Sequence, residues 1–428
     1  MPPSLAGNQP PASRRFVISR LSGNSRSASR HIFSTEDAVR LARHRQPRLV
    51  FDFIEGGAGR EVASSRNQSR FDEITLQPRV MADVGTRSLR KSILGCGYDL
   101  PFGIAPMGMC GLAWPGADRA LAAAARDFNI PVCLSSAAST TIEEMREWAG
   151  ENSWFQLYAG SSEAQSLALV ERARAAGYET LVLTVDVPQV SRRLRDLRNG
   201  FSMPFRMRLR QFMDFATHPR WSLATLMHGA PKPANFVSDG GQVHFDRSAS
   251  RAGADWAFLD RLRALWPGKL VIKGVTSAQD ALRIQQAGAD AIYVSNHGGR
   301  QLDSAPAAID CLPQIRSAVG DDYPLIFDSG VRNGEDIVKA LAMGADFVML
   351  GRPMLFALGA EGARGLNSLV GILAEDVSLA LAQTGLNDIN TVSAAILENE
   401  LTALRPASPV AIETSIKRVR APKEANSK

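Results

Sequence analysis

Ala291-Ile292-Tyr293-Val294-Ser295-Asn296-His297-Gly298-Gly299-Arg300-Gln301-Leu302-Asp303 is the stretch that decides the fold. Its first four residues form an apolar run that reads as a buried strand. A His and an Arg three residues apart then follow on a loop with two glycines. This is a base and an anion clamp delivered to the C-terminal end of a strand. Buried strands rarely end in groups so costly to desolvate without a reason.

The same pattern recurs on both sides of it. Short β-branched runs are expected as strands at Phe102–Ala105, Val132–Leu134, Trp154–Leu157, Thr180–Val185, Leu270–Lys273, Ala291–Val294, Leu325–Phe327 and Phe347–Leu350. Helical segments such as Asp118–Phe128, Ala164–Ala176, Ala278–Ala287 and Glu335–Met343 fall between most of them. Eight strand-then-helix units in succession predict an α/β fold, a TIM (β/α)8 barrel. A doubly wound sheet is the alternative, weakened because no GxGxxG follows the first strand.

The expected organisation is a tail at 1–30, an N-terminal helical cap segment at 31–95, a barrel at 96–404 and a C-terminal tail at 405–428 that wraps the surface or frays. Residues 1–30 are rich in Ser, Arg and Pro and contain no Asp or Glu. A transit peptide and a disordered tail share that composition, and the tail is the favoured reading. In the cap, Ser34 with Asp37 resembles a helix N-cap, and Gly56-Gly57 ends the helical stretch Pro47–Glu55.

A long loop, 187–255, follows the fourth strand. Loops of that length inside compact domains are usually functional or disordered. Phe201–Phe215 combines apolar residues with Arg206, Arg208 and Arg210, and Asp214 is its one acid. Positions 205, 209, 212 and 213 share one apolar face at helical spacing, and Trp221, Leu223, Leu226 and Met227 follow. Apolar plus basic is the composition of an interfacial membrane segment, here expected to make surface contact through 201–227. The competing reading is an active-site lid packed on the barrel.

Bulk composition excludes other classes. Of 428 residues, 45% are hydrophobic, ample for a large core. The net charge of +6 is mild, and no basic stripe interleaved with aromatics points to nucleic acid. Cys96, Cys110, Cys133 and Cys311 show no metal-ligand spacing, so no metal is expected; reduced thiols in a cytoplasmic compartment are the plain reading. No run of 18 apolar residues exists, so no transmembrane helix is expected.

In a barrel the C-terminal ends of all strands converge on one site. Here they supply Ala105-Pro106-Met107-Gly108, then Ser135-Ser136, Gln156 with Tyr158, Thr184 with Asp186, Lys273, Ser295 with His297 and Arg300, Asp328–Arg332, and Gly351-Arg352. The last two belong together. Gly330 with Arg332, and Gly351 with Arg352, match the barrel site for a phosphate, held by backbone N–H groups and guanidinium forks. Lys273 ends an apolar strand; near a cofactor it stabilises negative charge, and a Schiff-base lysine or a solvent-reaching one are the competing readings. His297 is the candidate general base, with Asp186 placed to orient the imidazole and stabilise its cation. Arg193 and Arg300 can hold a carboxylate, although Arg193 sits in a basic run that reads equally as a solvated face.

These residues closely resemble the family of FMN-dependent 2-hydroxy acid dehydrogenases and oxidases, which includes glycolate oxidase, L-lactate dehydrogenase and (S)-mandelate dehydrogenase. The resemblance runs from about Phe33 to Glu400 and rests on SNHGGRQLD at 295–303, IAPMG at 104–108, FQLY at 155–158, LTVD at 183–186, Ile272-Lys273-Gly274, DSGVRNG at 328–334 and LGRP at 350–353. HPRWSL at 218–223 and HGAPKPANFV at 228–237 resemble the mandelate dehydrogenase branch, whose equivalent segment attaches it to the membrane.

The resemblance implies roles. FMN lies across the barrel mouth, its ring against the Ala105, Pro106 and Met107 backbone, Ser135, Gln156 and Thr184. Lys273 faces the flavin N1–O2 edge with Ser295 nearby. Gly330, Arg332, Gly351 and Arg352 hold the phosphate, and Asp328 the ribityl chain. His297 takes the substrate proton, backed by Asp186; Arg300 and Arg193 hold the carboxylate, and Tyr158 bonds the substrate oxygen. The expected reaction is oxidation of an L-2-hydroxy acid to the 2-oxo acid, by a carbanion or a hydride route. Gly108 and the basic apolar loop favour a membrane quinone over oxygen as acceptor. A homotetramer, peripheral on the inner face of the cell membrane, is expected.

One departure stands out. The family usually carries a Tyr in the first cap helix that donates to the substrate carboxylate; the matching residue here is Phe53. Ala137 is small where oxidases often carry Trp, which suits a bulky or aromatic substrate. Alternatives are an oxygen-using oxidase, a catalytically weak flavin-binding paralogue suggested by Phe53, and a non-redox FMN barrel such as an isopentenyl diphosphate isomerase. The His297–Arg300 pair and Asp186 speak against the last.

Overall fold

The computed structural model describes residue 29 and residues 31–160, 162–202, 208–229, 231–236 and 253–398. The expected tails lie almost wholly outside the described residues, as do positions 203–207 of the long loop. Three helices come first: α1 (Thr35–Arg45), α2 (Arg48–Glu55) and α3 (Val62–Glu73). The Ser34 side chain caps α1 by accepting from the Asp37 amide, as its sequence suggests. Gly56 ends α2, its N–H bonding the Asp52 carbonyl.

A hairpin, β1 (Lys91–Ile93) with β2 (Cys96–Tyr98), precedes eight parallel strands: β3 (Phe102–Met107), β4 (Val132–Ser135), β5 (Ser153–Tyr158), β6 (Thr180–Thr184), β7 (Lys269–Val275), β8 (Ala291–Val294), β9 (Leu325–Phe327) and β10 (Phe347–Leu350). They close as a barrel in chain order, with β10 pairing β3. The fold is therefore the (β/α)8 barrel expected from the sequence. Every strand is close to continuously buried, which is why apolar runs rather than alternation signal it.

The hairpin closes the barrel floor. Tyr98 is buried against Phe347, with ring centroids 5.7 Å apart, and its hydroxyl accepts from the Trp154 indole at 3.2 Å. Val182, Val271, Tyr293 and Met349 fill the interior above it. The substance of the barrel is thus packed side chains, and a ligand can enter only at the opposite end. The helices outside are α4 (Ala117–Asp127), α5 (Ile142–Ala149), α6 (Glu163–Ala175), three pieces of the long loop, α7 (Leu194–Asn199), α8 (Leu209–Ala216) and α9 (Pro219–His228), and then α10 (Trp256–Leu265), α11 (Ala278–Gln286), α12 (Ala308–Val319), α13 (Gly334–Ala342) and α14 (Arg352–Gln383).

Two expectations need correction. Helix α14 is long and apolar enough to span a membrane by length and composition, although no such helix was expected. More than half of its most apolar stretch is buried, it breaks at Glu361 and Gly362, and it packs along α1 and α13, so it is a barrel helix. In the long loop, Leu209, Phe212 and Met213 of α8 and Leu223, Leu226 and Met227 of α9 are all exposed, so this face does not pack on the barrel as a lid would. Trp221 is the exception. It is buried, and its indole donates to the Leu112 carbonyl at 2.8 Å, which pins α9 to the loop after β3. The four cysteines are free, as expected, though Cys96 is only half-buried.

Candidate active site

The strand ends converge. His297 Nδ1 lies 3.0 Å from Asp186 Oδ1, and its Nε2 lies 3.4 Å from the Tyr158 hydroxyl. These three residues come from the ends of β8, β6 and β5. Burial lowers the His297 pKa below its ordinary 6.5, opposed by Asp186 and assisted by the Lys273 and Arg193 cations. The imidazole is therefore neutral at neutral pH and can accept a proton, while Asp186 stabilises the cation so formed.

Lys273 is 3% exposed. Its Nζ lies 2.9 Å from Asp328 Oδ2 and 2.7 Å from Ser295 Oγ, over the Tyr293 ring at 4.5 Å. Burial works against the ammonium, but Asp328 and then Asp186 more than offset it and hold its pKa above the ordinary value. This is the paired, hydrogen-bonded arrangement a buried charge requires. It also gives Asp328 more to do than the sequence suggested, since its carboxylate accepts from Ser295 at 2.5 Å and Ser329 at 2.9 Å as well. A chain of bonds crosses the neighbouring strand ends: Ser135 Oγ donates to Gln156 Oε1 at 2.8 Å, and Gln156 Nε2 to Thr184 Oγ1 at 2.9 Å. At the end of β3, the pairing register with β4 shifts between Ile104 and Met107, so Ala105 and Pro106 fall at an irregularity that turns backbone toward the mouth.

Gly330 and Arg332 follow β9, and Gly351 and Arg352 follow β10, Gly351 being the residue before α14. Burial, then the Arg332 and Arg193 cations, pull the Arg352 pKa down to about 9, and burial also lowers that of Arg332. The printed partners of both guanidinium groups are backbone carbonyls: Ile54, Gly56 and Gly298 for Arg352, Val331 and Gly330 for Arg332. Buried cations crowded together at a helix N-terminus call for an anion, and a phosphate dianion meets that demand. The residues present thus fit the phosphate end of a flavin nucleotide.

Arg300 donates to the Ile54, Gly56 and Phe53 carbonyls at the end of α2, with its guanidinium carbon 5.5 Å from the Phe53 ring centre. Arg193 immediately precedes α7 and pairs in a short parallel bridge with Gly59. Phe53 stacks on Phe201 at 4.5 Å with planes 5° apart. All the expected residues therefore gather at one barrel mouth roofed by the cap.

The FMN-dependent dehydrogenase family model matches residues 42–399. This chain belongs to the FMN-dependent 2-hydroxy acid dehydrogenase family. It is 41% identical over 378 residues to (S)-mandelate dehydrogenase of Pseudomonas putida, covering 87% of this chain and 95% of that protein. It is 37% identical over 379 residues to L-lactate dehydrogenase of Pseudomonas syringae pv. syringae, covering 86% and 98%. A crystal structure described as the monotopic membrane protein (S)-mandelate dehydrogenase superposes with a TM-score of 0.83 at 40% identity, over 87% of this chain and all of that one. As a member of this family the chain is an FMN enzyme, in agreement with the buried cations at its phosphate end.

Sequence reasoning missed several residues that build this site. Asn67 on α3 bonds Asn296 beside the base. Arg195 joins Asp52, Glu55 and Glu61, tying α7 to the cap. Phe201 backs Phe53. A lone Asn in mid-helix is a weak signal, because it favours caps and turns over helix interiors. The other two contacts have no local signature.

Proposed function

We propose that this protein oxidises an L-2-hydroxy acid with a bulky or aromatic side chain to the 2-oxo acid, and that its electrons leave to a quinone at a membrane surface. The observation that carries the reading is the His297–Asp186 contact of 3.0 Å beside Arg300, Arg193 and Tyr158. His297 Nε2 accepts the proton, from Cα or from the hydroxyl. Asp186 holds the ring's other nitrogen and stabilises the resulting cation. Arg300 and Arg193 hold the substrate carboxylate, and Tyr158 hydrogen-bonds the substrate oxygen. Ala105–Met107, Ser135, Gln156, Thr184, Lys273, Ser295, Asp328, Gly330, Arg332, Gly351 and Arg352 are the residues that hold FMN, which when bound supplies the two-electron acceptor. Lys273 places a fixed positive charge where negative charge collects.

The side-chain preference draws support from Ala137, which packs against Gly108 and leaves the space above it unfilled by a larger residue. Phe53 bears on the carboxylate. Its ring keeps the place of the usual Tyr but lacks the hydroxyl, and a hydrogen bond to a charged group is worth roughly 1.5–3 kcal/mol. Phe53→Tyr is therefore expected to raise kcat/KM by roughly ten- to a hundred-fold. Unchanged kinetics would show that the two arginines already carry the carboxylate.

The membrane reading is supported by the exposed apolar residues of α8 and α9 beside Arg208, Arg210 and Arg220, and by the similarity to a monotopic membrane protein. The protein is expected to sediment with anionic vesicles, to reduce a soluble quinone during turnover and to release little peroxide. A protein that stays in the supernatant and forms one peroxide per product would instead be an oxygen-using oxidase.

A further inference from the structure

The candidate base occupies an unfavourable backbone position. His297 has φ +58, and Ser329 on the adjacent loop has φ +91. Residues with a Cβ seldom adopt this region, and such strain persists only where the surroundings over-determine it. Ser329 supplies part of the restraint, its hydroxyl accepting from the Asn296 and Gly298 amides at 3.3 and 3.0 Å.

The rest comes from α3. Asn67 Nδ2 donates to Asn296 Oδ1 at 2.7 Å, and Asn296 Nδ2 donates back to Asn67 Oδ1 at 2.8 Å. Asn296 Oδ1 also accepts from the Gly299 amide at 3.1 Å, its Nδ2 also donates to the Pro306 carbonyl at 2.8 Å, and Asn67 Oδ1 also accepts from the Ala308 amide at 3.1 Å. Asn67 is 2% exposed and Asn296 7%. The helix backbone itself presses on both loops. A Cβ on Gly299 would lie 2.3 Å from the Ser64 nitrogen, and one on Gly330 would lie 2.3 Å from the Asn67 carbonyl oxygen, so only glycine permits the approach at either place.

We propose that Asn67, a residue of the cap helix rather than of the barrel, is a positioning residue for the base: through Asn296 it locks the loop in the left-handed turn that aims His297 at Asp186 and at the substrate. This rests on the reading of His297 as the base. Without the reciprocal amide pair the loop relaxes toward negative φ, and the imidazole leaves its 3.0 Å contact with Asp186. The charged and titratable groups that face the ring are Asp186 after β6, Lys273 on β7, Tyr158 on β5 and Arg193 before α7, and none of them is anchored by Asn67.

The test uses the FMN-loaded Asn67→Ala and Asn67→Ser enzymes with two readouts. One is steady-state kinetics. The other is the NMR titration of the His297 imidazole without substrate, assigned by the signal that His297→Gln lacks. Asn67→Ala is expected to lower kcat by roughly ten- to a hundred-fold, the scale of a small misplacement of a reacting group, with KM little changed. The imidazole titration should move up toward its ordinary value, and Asn67→Ser should fall between. If Asn67→Ala does not fold, Ser329→Ala loosens the same loop from its other side and should show the same kcat loss at constant KM. Wild-type kcat and an unmoved titration in variants that bind FMN would overturn the proposal. So would a loss of thermal stability with the titration unmoved, because that marks a purely structural role. Near-wild-type turnover in His297→Gln would instead remove the reading of the base itself.

Discussion

His297→Gln is expected to lose about 10²–10⁴-fold in kcat while keeping bound FMN, because a positioned general base contributes a factor of that order. Glutamine approximates the size of imidazole and can still donate toward Asp186, so the fold has little reason to change. FMN absorbance should remain, since none of the phosphate-end groups, Gly330, Arg332, Gly351 and Arg352, is altered. The pH profile supplies an independent check with a definite sign. Burial lowers the His297 pKa, so the base is protonated and idle only in acid. In the wild type, kcat/KM should rise with pH through an apparent pKa below 6.5 and then level off. In the variant that acidic limb should disappear. A variant that retains the limb would assign it to another group.

Lys273→Met is expected to destabilise the fold by about 3–5 kcal/mol, the scale of leaving one member of a buried ion pair without its partner. Asp328 then keeps its bonds from Ser295 and Ser329 but loses the cation that balances its charge. Burial opposes the Asp328 charge, and Lys273 and the two serine bonds are what hold its carboxyl below the usual carboxylate range. The loss should therefore be largely recovered in Lys273→Met with Asp328→Asn, which removes the stranded charge as well. Denaturant unfolding of the three proteins, each with FMN in excess, measures the cycle. A single variant within about 1 kcal/mol of wild type, the scale of an exposed pair, would contradict a buried, mutually dependent pair.

How much of this was legible in the sequence follows from what is local and what is not. The eight strands could be found because parallel barrel strands are buried on both faces and must be apolar throughout. Val132–Ser135, Ala291–Val294 and Leu325–Phe327 show this plainly. The site could be found because each barrel strand delivers its last residues to the same mouth, so reading strand ends collects Tyr158, Asp186, Lys273 and His297 from distant parts of the chain. What could not be read was the choice of partner. Asn67 and Asn296 are 229 residues apart and carry no pattern that names one another. The Lys273–Asp328 pair was hidden for the same reason: each residue had a cofactor role to explain it. Exposure of the α8 and α9 apolar residues was also undetermined, because an amphipathic segment reads alike whether its apolar side meets a barrel or a lipid surface. Trp221 shows the ambiguity within one helix, buried beside Leu223, Leu226 and Met227, which are not.

The account's central claim is that this barrel mouth oxidises 2-hydroxy acids, and anaerobic mixing tests it most directly. The FMN-loaded protein is mixed without oxygen with the L and D forms of lactate, mandelate and longer 2-hydroxy acids, and with glycolate, while flavin absorbance is followed. The account predicts rapid bleaching by L-2-hydroxy acids, fastest for those with bulky or aromatic side chains, and none by the D forms. A flavin that stays oxidised with every member of the panel would contradict it.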